Sequence, residues 1–168
     1  MAYRIALVGN PNCGKTTLFN LLTGSSLQVG NWPGVTVEKK EGRLPLEHGE
    51  GTLLDLPGIY SLTPYSLEER ITRDYLLQER PDLILNIVDG TNLERNLFLT
   101  AQLMDLERPM VLAVNMMDEV SAQGLDWNLP QLETALSLPV VGISARLGEG
   151  IPQLLQVIQE VLQGGRTS

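Results

Sequence analysis

The segment Gly9-Asn10-Pro11-Asn12-Cys13-Gly14-Lys15-Thr16 fits the pattern G-x-x-x-x-G-K-[ST]. Its glycines let a loop wrap tightly enough for backbone N–H groups to converge on phosphate oxygens. A helix that opens at Lys15-Thr16-Thr17 would add the partial positive charge of its N-terminus. Lys15 is expected to bridge the β- and γ-phosphates, and the Thr16 hydroxyl to bind Mg²⁺. Cys13 is the only cysteine, so neither an internal disulfide nor a multi-cysteine metal site is available. In this loop it is expected to contribute backbone rather than redox chemistry.

Further along, Asn115-Met116-Met117-Asp118 matches N-x-x-D, the signature of guanine nucleotide-binding proteins. A carboxylate at Asp118 can accept hydrogen bonds from the guanine N1–H and 2-amino group, which adenine lacks. Each such charge-assisted bond contributes about 1.5–3 kcal/mol. Asn115 is expected to brace the loop, and the backbone of Ser144-Ala145-Arg146 to contact the base. Asp55-Leu56-Pro57-Gly58 matches D-x-x-G. There Asp55 would hold Mg²⁺ through a water, and the Gly58 N–H would meet the γ-phosphate. Between these motifs lies Asn31-Trp32-Pro33-Gly34-Val35-Thr36, whose threonine is the candidate first-switch ligand of Mg²⁺. Both segments are expected to order with GTP and relax after hydrolysis.

These residues need elements to position them. An apolar run at 5–8 ending in Gly9 reads as a buried strand, and 16–22 as a helix with Leu18, Phe19 and Leu22 on one side. Residues 25–33 read as loop, 35–46 as an exposed or edge strand, Gly49 and Gly51 as a hairpin turn near a solvated His48, and 52–56 as a strand. Ser66 is a candidate N-cap for a helix reaching Glu79, with Glu68 and Glu69 in its first turn. Strands are then expected at 82–88, 109–114 and 140–143. Helices are expected at 92–106, 130–138 and 151–162, the last with an apolar stripe from Ile151 to Leu162. Strand–helix alternation implies an α/β fold: a mostly parallel six-stranded sheet with one antiparallel strand and helices on both faces. Ligands of such sheets bind beyond the carboxyl ends of the strands.

The chain has 168 residues, of which 43% are hydrophobic and 19% charged, enough for one domain with a real core. Its formal net charge of −8 disfavours a wide nucleic-acid-binding face. No window approaches the roughly 18 consecutive apolar residues of a membrane span, and no signal peptide is evident. As given, the chain is expected to be soluble. Residues 1–163 form the expected domain, and 164–168 a linker or tail.

The ordered motifs resemble those of a P-loop GTPase. Four segments carry the resemblance further: G-N-P-N-C-G-K-T-T-L-F-N at 9–20, V-G-N-W-P-G-V-T-V-E at 29–38, D-L-P-G-I-Y-S-L at 55–62 and D-G-T-N-L-E-R-N-L at 89–97. These are similar to the cytosolic G domain of the FeoB family of bacterial ferrous-iron transporters, over about residues 3–163. The resemblance implies a slow GTPase, bound to GTP or GDP, at the cytoplasmic face of the inner membrane. It also implies a following helical regulatory domain and a membrane transport domain, both absent from this chain. Small cytosolic partner proteins and a homo-oligomer are compatible with it; nucleic acid is not expected.

Many GTPases carry a glutamine after D-x-x-G to orient the attacking water. Here the residue is Ile59, which cannot do so. The resemblance implies a K⁺ ion near the phosphates instead, held by the Asn12 side chain and by backbone carbonyls of Asn31 and Trp32. The side chain of Trp32 would either cover the nucleotide or stand exposed in its loop, and Trp127 would serve packing. Glu68 and Glu69 are candidates to reach the water through a second water, or simply favourable charges at a helix start. Two other functions fit less of the sequence: a ribosome- or tRNA-associated GTPase, and a non-catalytic nucleotide-dependent binding module.

Overall fold

A computed structural model describes residues 2–24 and 27–164. In chain order the elements are β1 (Ala2–Gly9), α1 (Lys15–Thr23), β2 (Leu27–Asn31), β3 (Glu38–Leu46), β4 (Gly49–Asp55), α2 (Leu67–Gln78), β5 (Leu83–Asp89), α3 (Leu93–Met104), β6 (Met110–Asn115), α4 (Met117–Ala122), α5 (Leu129–Leu136), β7 (Val140–Gly142) and α6 (Ile151–Leu162). The sheet is seven-stranded, in the order β2-β3-β4-β1-β5-β6-β7. Strands β4, β1, β5, β6 and β7 pair in parallel, and β3 runs antiparallel to both β4 and β2.

The expected α/β architecture with one antiparallel strand is present, but the count of six strands is corrected to seven. The extra strand is β2, in the region expected to be loop. All five of its residues are exposed, so it has no buried face to impose an alternating pattern. Strand β3 starts at Glu38 rather than at 35, because 32–37 form a turn. The short helix α4 was not foreseen. Ser66 caps α2 as expected, and α6 keeps the expected bounds. Of the expected tail at 164–168, residues 165–168 lie outside the described residues, as do residues 25–26 of the expected loop.

Successive β-strand side chains point to opposite faces, and β1 divides the core accordingly. Ile5 and Leu7 pack with Leu18, Phe19, Leu154 and Ile158 on the α1/α6 side. Ala6 and Val8 pack with Leu76, Leu99 and Leu103 on the α2/α3 side. Burial on both faces explains why the central strands read as unbroken apolar runs. The polar exception, Asn86 in β5, is satisfied. Its amide donates to the Val8 carbonyl at 3.0 Å, and its oxygen accepts from the Thr100 hydroxyl at 2.6 Å. Among the described residues, no helix is long and apolar enough to cross a membrane.

Candidate functional site

The loops after β1, β4, β6 and β7 meet beyond the carboxyl ends of these parallel strands. After β1 the chain turns through Asn12, with φ of 65°, and Gly14, with φ of 90°, before α1 begins. Left-handed backbone is tolerated by glycine and, less readily, by asparagine. Gly14 is also sterically required, because a Cβ there would overlap the Asn115 side-chain amide. The result is a cavity of about 560 Å³ lined by Asn10, Pro11, Asn12, Gly14, Lys15, Thr16, Thr17, Gly58 and Met116.

The D-x-x-G segment is sewn to β1. Leu56 N–H donates to the Leu7 carbonyl and Ile59 N–H to the Gly9 carbonyl, each at 3.1 Å. This presses Gly58 against Pro11. The Lys15 ammonium donates to Asp55 Oδ1 and, at 2.7 Å, to the Leu56 carbonyl. Both side chains of that ion pair are largely enclosed, 12% and 10% exposed. Ile59 is 2% exposed, in the core on the α2/α3 side, so its side chain faces away from the cavity.

At the other end, Asn115 joins two loops. Its Nδ2 donates to the Cys13 carbonyl at 3.0 Å, and its Oδ1 accepts from the Ala145 N–H at 2.9 Å. Met116 follows with φ of 64°, a strained conformation for such a residue. Asp118 Oδ1 accepts from the Ser144 hydroxyl at 2.9 Å, and Oδ2 from the Arg146 guanidinium at 2.6 Å. Those two hydrogen bonds, Arg146 first, hold the Asp118 carboxyl below its ordinary value. The small cavity here, about 210 Å³, is lined in part by Asn115, Asp118, Glu119, Ser144 and Arg146. Glu119 was missed by sequence reasoning, because only its membership of the short helix α4 brings it there.

The first-switch segment is placed elsewhere. Asn31 pairs with Glu38 in the β2–β3 ladder. Trp32 N–H donates to the Val37 carbonyl at 2.9 Å, and its own carbonyl accepts from the Val35 N–H at 3.2 Å. Gly34, Val35 and Thr36 thus sit at a hairpin tip, and none of the residues from Asn31 to Thr36 lines the cavity at the 9–16 loop. Trp32 is neither exposed nor over that cavity. It is 9% exposed, edge-on to Tyr75 at 5.9 Å, with Lys39 Nζ 4.8 Å from its ring centroid. An aromatic in a loop has no periodic context that would have revealed this.

Glu69 is also committed. Its carboxylate accepts from the Ser66 N–H while its own N–H donates to the Ser66 hydroxyl, a reciprocal cap. Glu68 remains exposed. The 89–97 segment forms a structural corner: Asp89 accepts from Thr91 N–H and hydroxyl, and the Trp127 indole donates to the Gly90 carbonyl. Cys13 is 1% exposed, and burial pushes its thiol up to about 11, although the Lys15 charge pulls the other way.

The donor set suits hard, oxygen-seeking ions. Thr16 and Asn12 line the cavity, Asp55 holds Lys15 beside it, and among the described residues Asn10 Oδ1 is buried without a hydrogen-bond partner. Among the described residues, no group of three or more His, Cys, Asp and Glu side chains could hold a metal ion.

Comparison with known proteins gives a consistent result. The family model described as ferrous iron transport protein B matches residues 3–158. An Fe(2+) transport protein A/Fe(2+) transporter FeoB fusion protein of Porphyromonas gingivalis is 49% identical over 164 residues, covering 96% of this chain and 19% of that protein. The chain therefore spans about a fifth of the length of such relatives. Among solved structures, the FeoB G-domain from Methanococcus jannaschii is 44% identical with a TM-score of 0.87, covering 96% of this chain and 98% of that one. The cytosolic domain of T. maritima FeoB in its GMPPNP form is 43% identical with a TM-score of 0.92, covering 96% and 64%.

Proposed function

The chain belongs to the ferrous iron transport protein B family, and on that premise we propose that it is a GTP-binding domain that hydrolyses GTP slowly to GDP and phosphate. The observation that carries this reading is Asn115, which ties the phosphate loop at Cys13 to the base loop at Ala145. One side chain thereby fixes the spacing between a phosphate cradle and an ionised Asp118. The GMPPNP form of the T. maritima relative supports the same nucleotide class.

In this reading, the N–H groups of residues 12–16 and the start of α1 cradle the phosphates, and Lys15 bridges the β- and γ-phosphates. Lys15 must exchange Asp55 and the Leu56 carbonyl for phosphate oxygens. Asp118 accepts from the guanine N1–H and 2-amino groups, and the Ser144–Arg146 backbone lies along the base. Mg²⁺ would be held by Thr16, by Asp55 through a water and, after the hairpin rearranges, by Thr36. K⁺ would be held by Asn12, with carbonyls of Asn31 and Trp32 after the same rearrangement. When bound, such cations offset the charge that develops on the phosphate oxygens during transfer. Ile59 plays no part in orienting water. Gly58 offers its N–H toward the γ-phosphate. Glu69 serves its helix cap, which leaves Glu68 the freer of the two second-switch acids.

Residues 1–163 would form the G domain. In the whole protein it would sit on the cytoplasmic side of a bacterial inner membrane and regulate or drive ferrous-iron uptake. A helical regulatory domain would link it to the membrane part, with small cytosolic proteins or further copies as additional partners.

GTP hydrolysis in KCl against NaCl at matched ionic strength, with Mg²⁺, tests the reading. Turnover is expected in both salts and clearly faster in KCl, with the stimulation lost in Asn12→Ala. Absence of both guanine-nucleotide binding and hydrolysis would overturn the reading. Equal rates in the two salts would overturn the K⁺ assignment alone.

A further inference from the structure

Asp118 is the base-reading carboxylate of the proposed site, and both its oxygens are engaged. Oδ1 carries one small donor, the Ser144 hydroxyl, which leaves room on the remaining lone pair. Oδ2 carries the Arg146 guanidinium, a planar cation far larger than a hydroxyl. The Arg146 side chain is 73% exposed against 17% for Asp118, so the arginine reaches in from solvent and has space to swing away. Among the described residues, Arg146 has no other side-chain hydrogen-bond partner.

Guanine presents two donors to this carboxylate, N1–H and the 2-amino group. Hypoxanthine presents N1–H alone. A base with one donor can share Asp118 with Arg146; a base with two must displace it from Oδ2. Resting on the guanine-binding reading above, we infer that Arg146 is a specificity-determining residue: it competes with the guanine 2-amino group for Asp118 and narrows the preference for guanine over hypoxanthine. An exposed ion pair is weak, so the competition is modest and screened by salt.

The test measures dissociation constants for GDP, IDP and ADP, by competition with a fluorescent GDP analogue, in the wild type, Arg146→Met and Arg146→Lys. Methionine keeps an apolar stem and removes the competing donors. The GDP-over-IDP preference is expected to rise about two- to fivefold in Arg146→Met, with lysine intermediate. Raising the salt concentration should widen the preference in the wild type and leave that of Arg146→Met unmoved. An arginine that merely holds the loop in shape would alter GDP and IDP binding alike, leaving the ratio constant. A constant or reduced ratio, alongside a clear preference for GDP over ADP, overturns this inference and leaves the guanine reading intact. No preference for GDP over ADP in the wild type overturns both.

Discussion

The proposed phosphate end and the proposed base end of the site each hold a basic side chain against a carboxylate, and the two pairs differ in their access to water. Lys15 and Asp55 are enclosed between the phosphate loop and the end of β4, whereas Arg146 approaches Asp118 from solvent. A charge left alone in a closed site loses solvation that it cannot recover, while an exposed one is rehydrated. The enclosed pair is therefore suited to strength and the exposed pair to adjustment. Affinity is expected to reside in the phosphate end and base selectivity in the other. Asn115 bonds to both loops and keeps the two functions at a fixed separation.

The hardest way to break this contrast is Lys15→Ala. It removes the charge-assisted bonds expected to the β- and γ-phosphates, of which GDP carries only the β, and leaves Asp55 unpaired beside the Leu56 carbonyl. Affinity for GDP should fall by about 100-fold or more, from about 1.5–3 kcal/mol for the charged bond to the β-phosphate together with repulsion of that phosphate by the unpaired Asp55 carboxylate. Titration with a fluorescent GDP analogue reads this directly. Affinity for ADP, weak at the outset, should fall in the same proportion, because both nucleotides carry the same diphosphate. A change in the GDP-to-ADP ratio would mean that the two ends are not separable.

Asp118→Asn probes the opposite end, with a smaller effect. An amide can accept at one atom only and places an N–H where the carboxylate offered an oxygen. Guanine affinity should drop by about 10- to 100-fold, and ADP affinity should hardly move. The preference would collapse through one ligand alone, the reverse of the pattern for Lys15→Ala. No pH effect from Asp118 is expected between pH 8 and 5. Arg146 and Ser144 hold its carboxyl below 3.8, so the ionised form and its bonds are lost only as pH falls through that lower value.

The parts of the site that were legible in the sequence are contiguous and chemically singular. A lysine and hydroxyl after a glycine loop, or an N-x-x-D after an apolar strand, carry their chemistry in a few neighbouring residues. The parts that were not legible depend on long-range contacts. Lys15 and Asp55 are 40 residues apart, and Arg146 and Asp118 are 28 apart. Each of these residues was singled out for contact with nucleotide or metal, and no spacing rule pairs them with one another. Strand β2 escaped because Leu27 and Val29 are exposed along with their polar neighbours. Trp32 escaped for the opposite reason: a buried side chain in a segment whose composition reads as loop. Its anchorage places Thr36 at a hairpin tip rather than at the cavity. Motif order gave Thr36 an expected role but could not give the conformation that such a role would require.

Cys13 lies where the two ends meet, and it separates what the backbone does from what the side chain does. Its carbonyl accepts the Asn115 bond that couples the loops, while its thiol is buried among Ile5, Leu7 and Ile87 of the core. If only the carbonyl matters, Cys13→Ala should leave GDP affinity within about twofold and the GDP-to-ADP ratio unchanged, since neither loop loses a hydrogen bond. The thiol itself should resist iodoacetamide at pH 8 until urea unfolds the domain, as read by mass spectrometry. Burial lifts its pKa from 9.0 to about 11, which keeps the reactive thiolate scarce. The sign of the linked stability follows. The folded form holds its proton more tightly than the unfolded chain, so the stabilisation is fully present below pH 9.0 and lost as pH rises toward about 11. Replacing the thiol with alanine should remove that alkaline decline while preserving both ends of the site. A large loss of GDP affinity in the alanine variant would show instead that the side chain, not the carbonyl, keeps the ends in register.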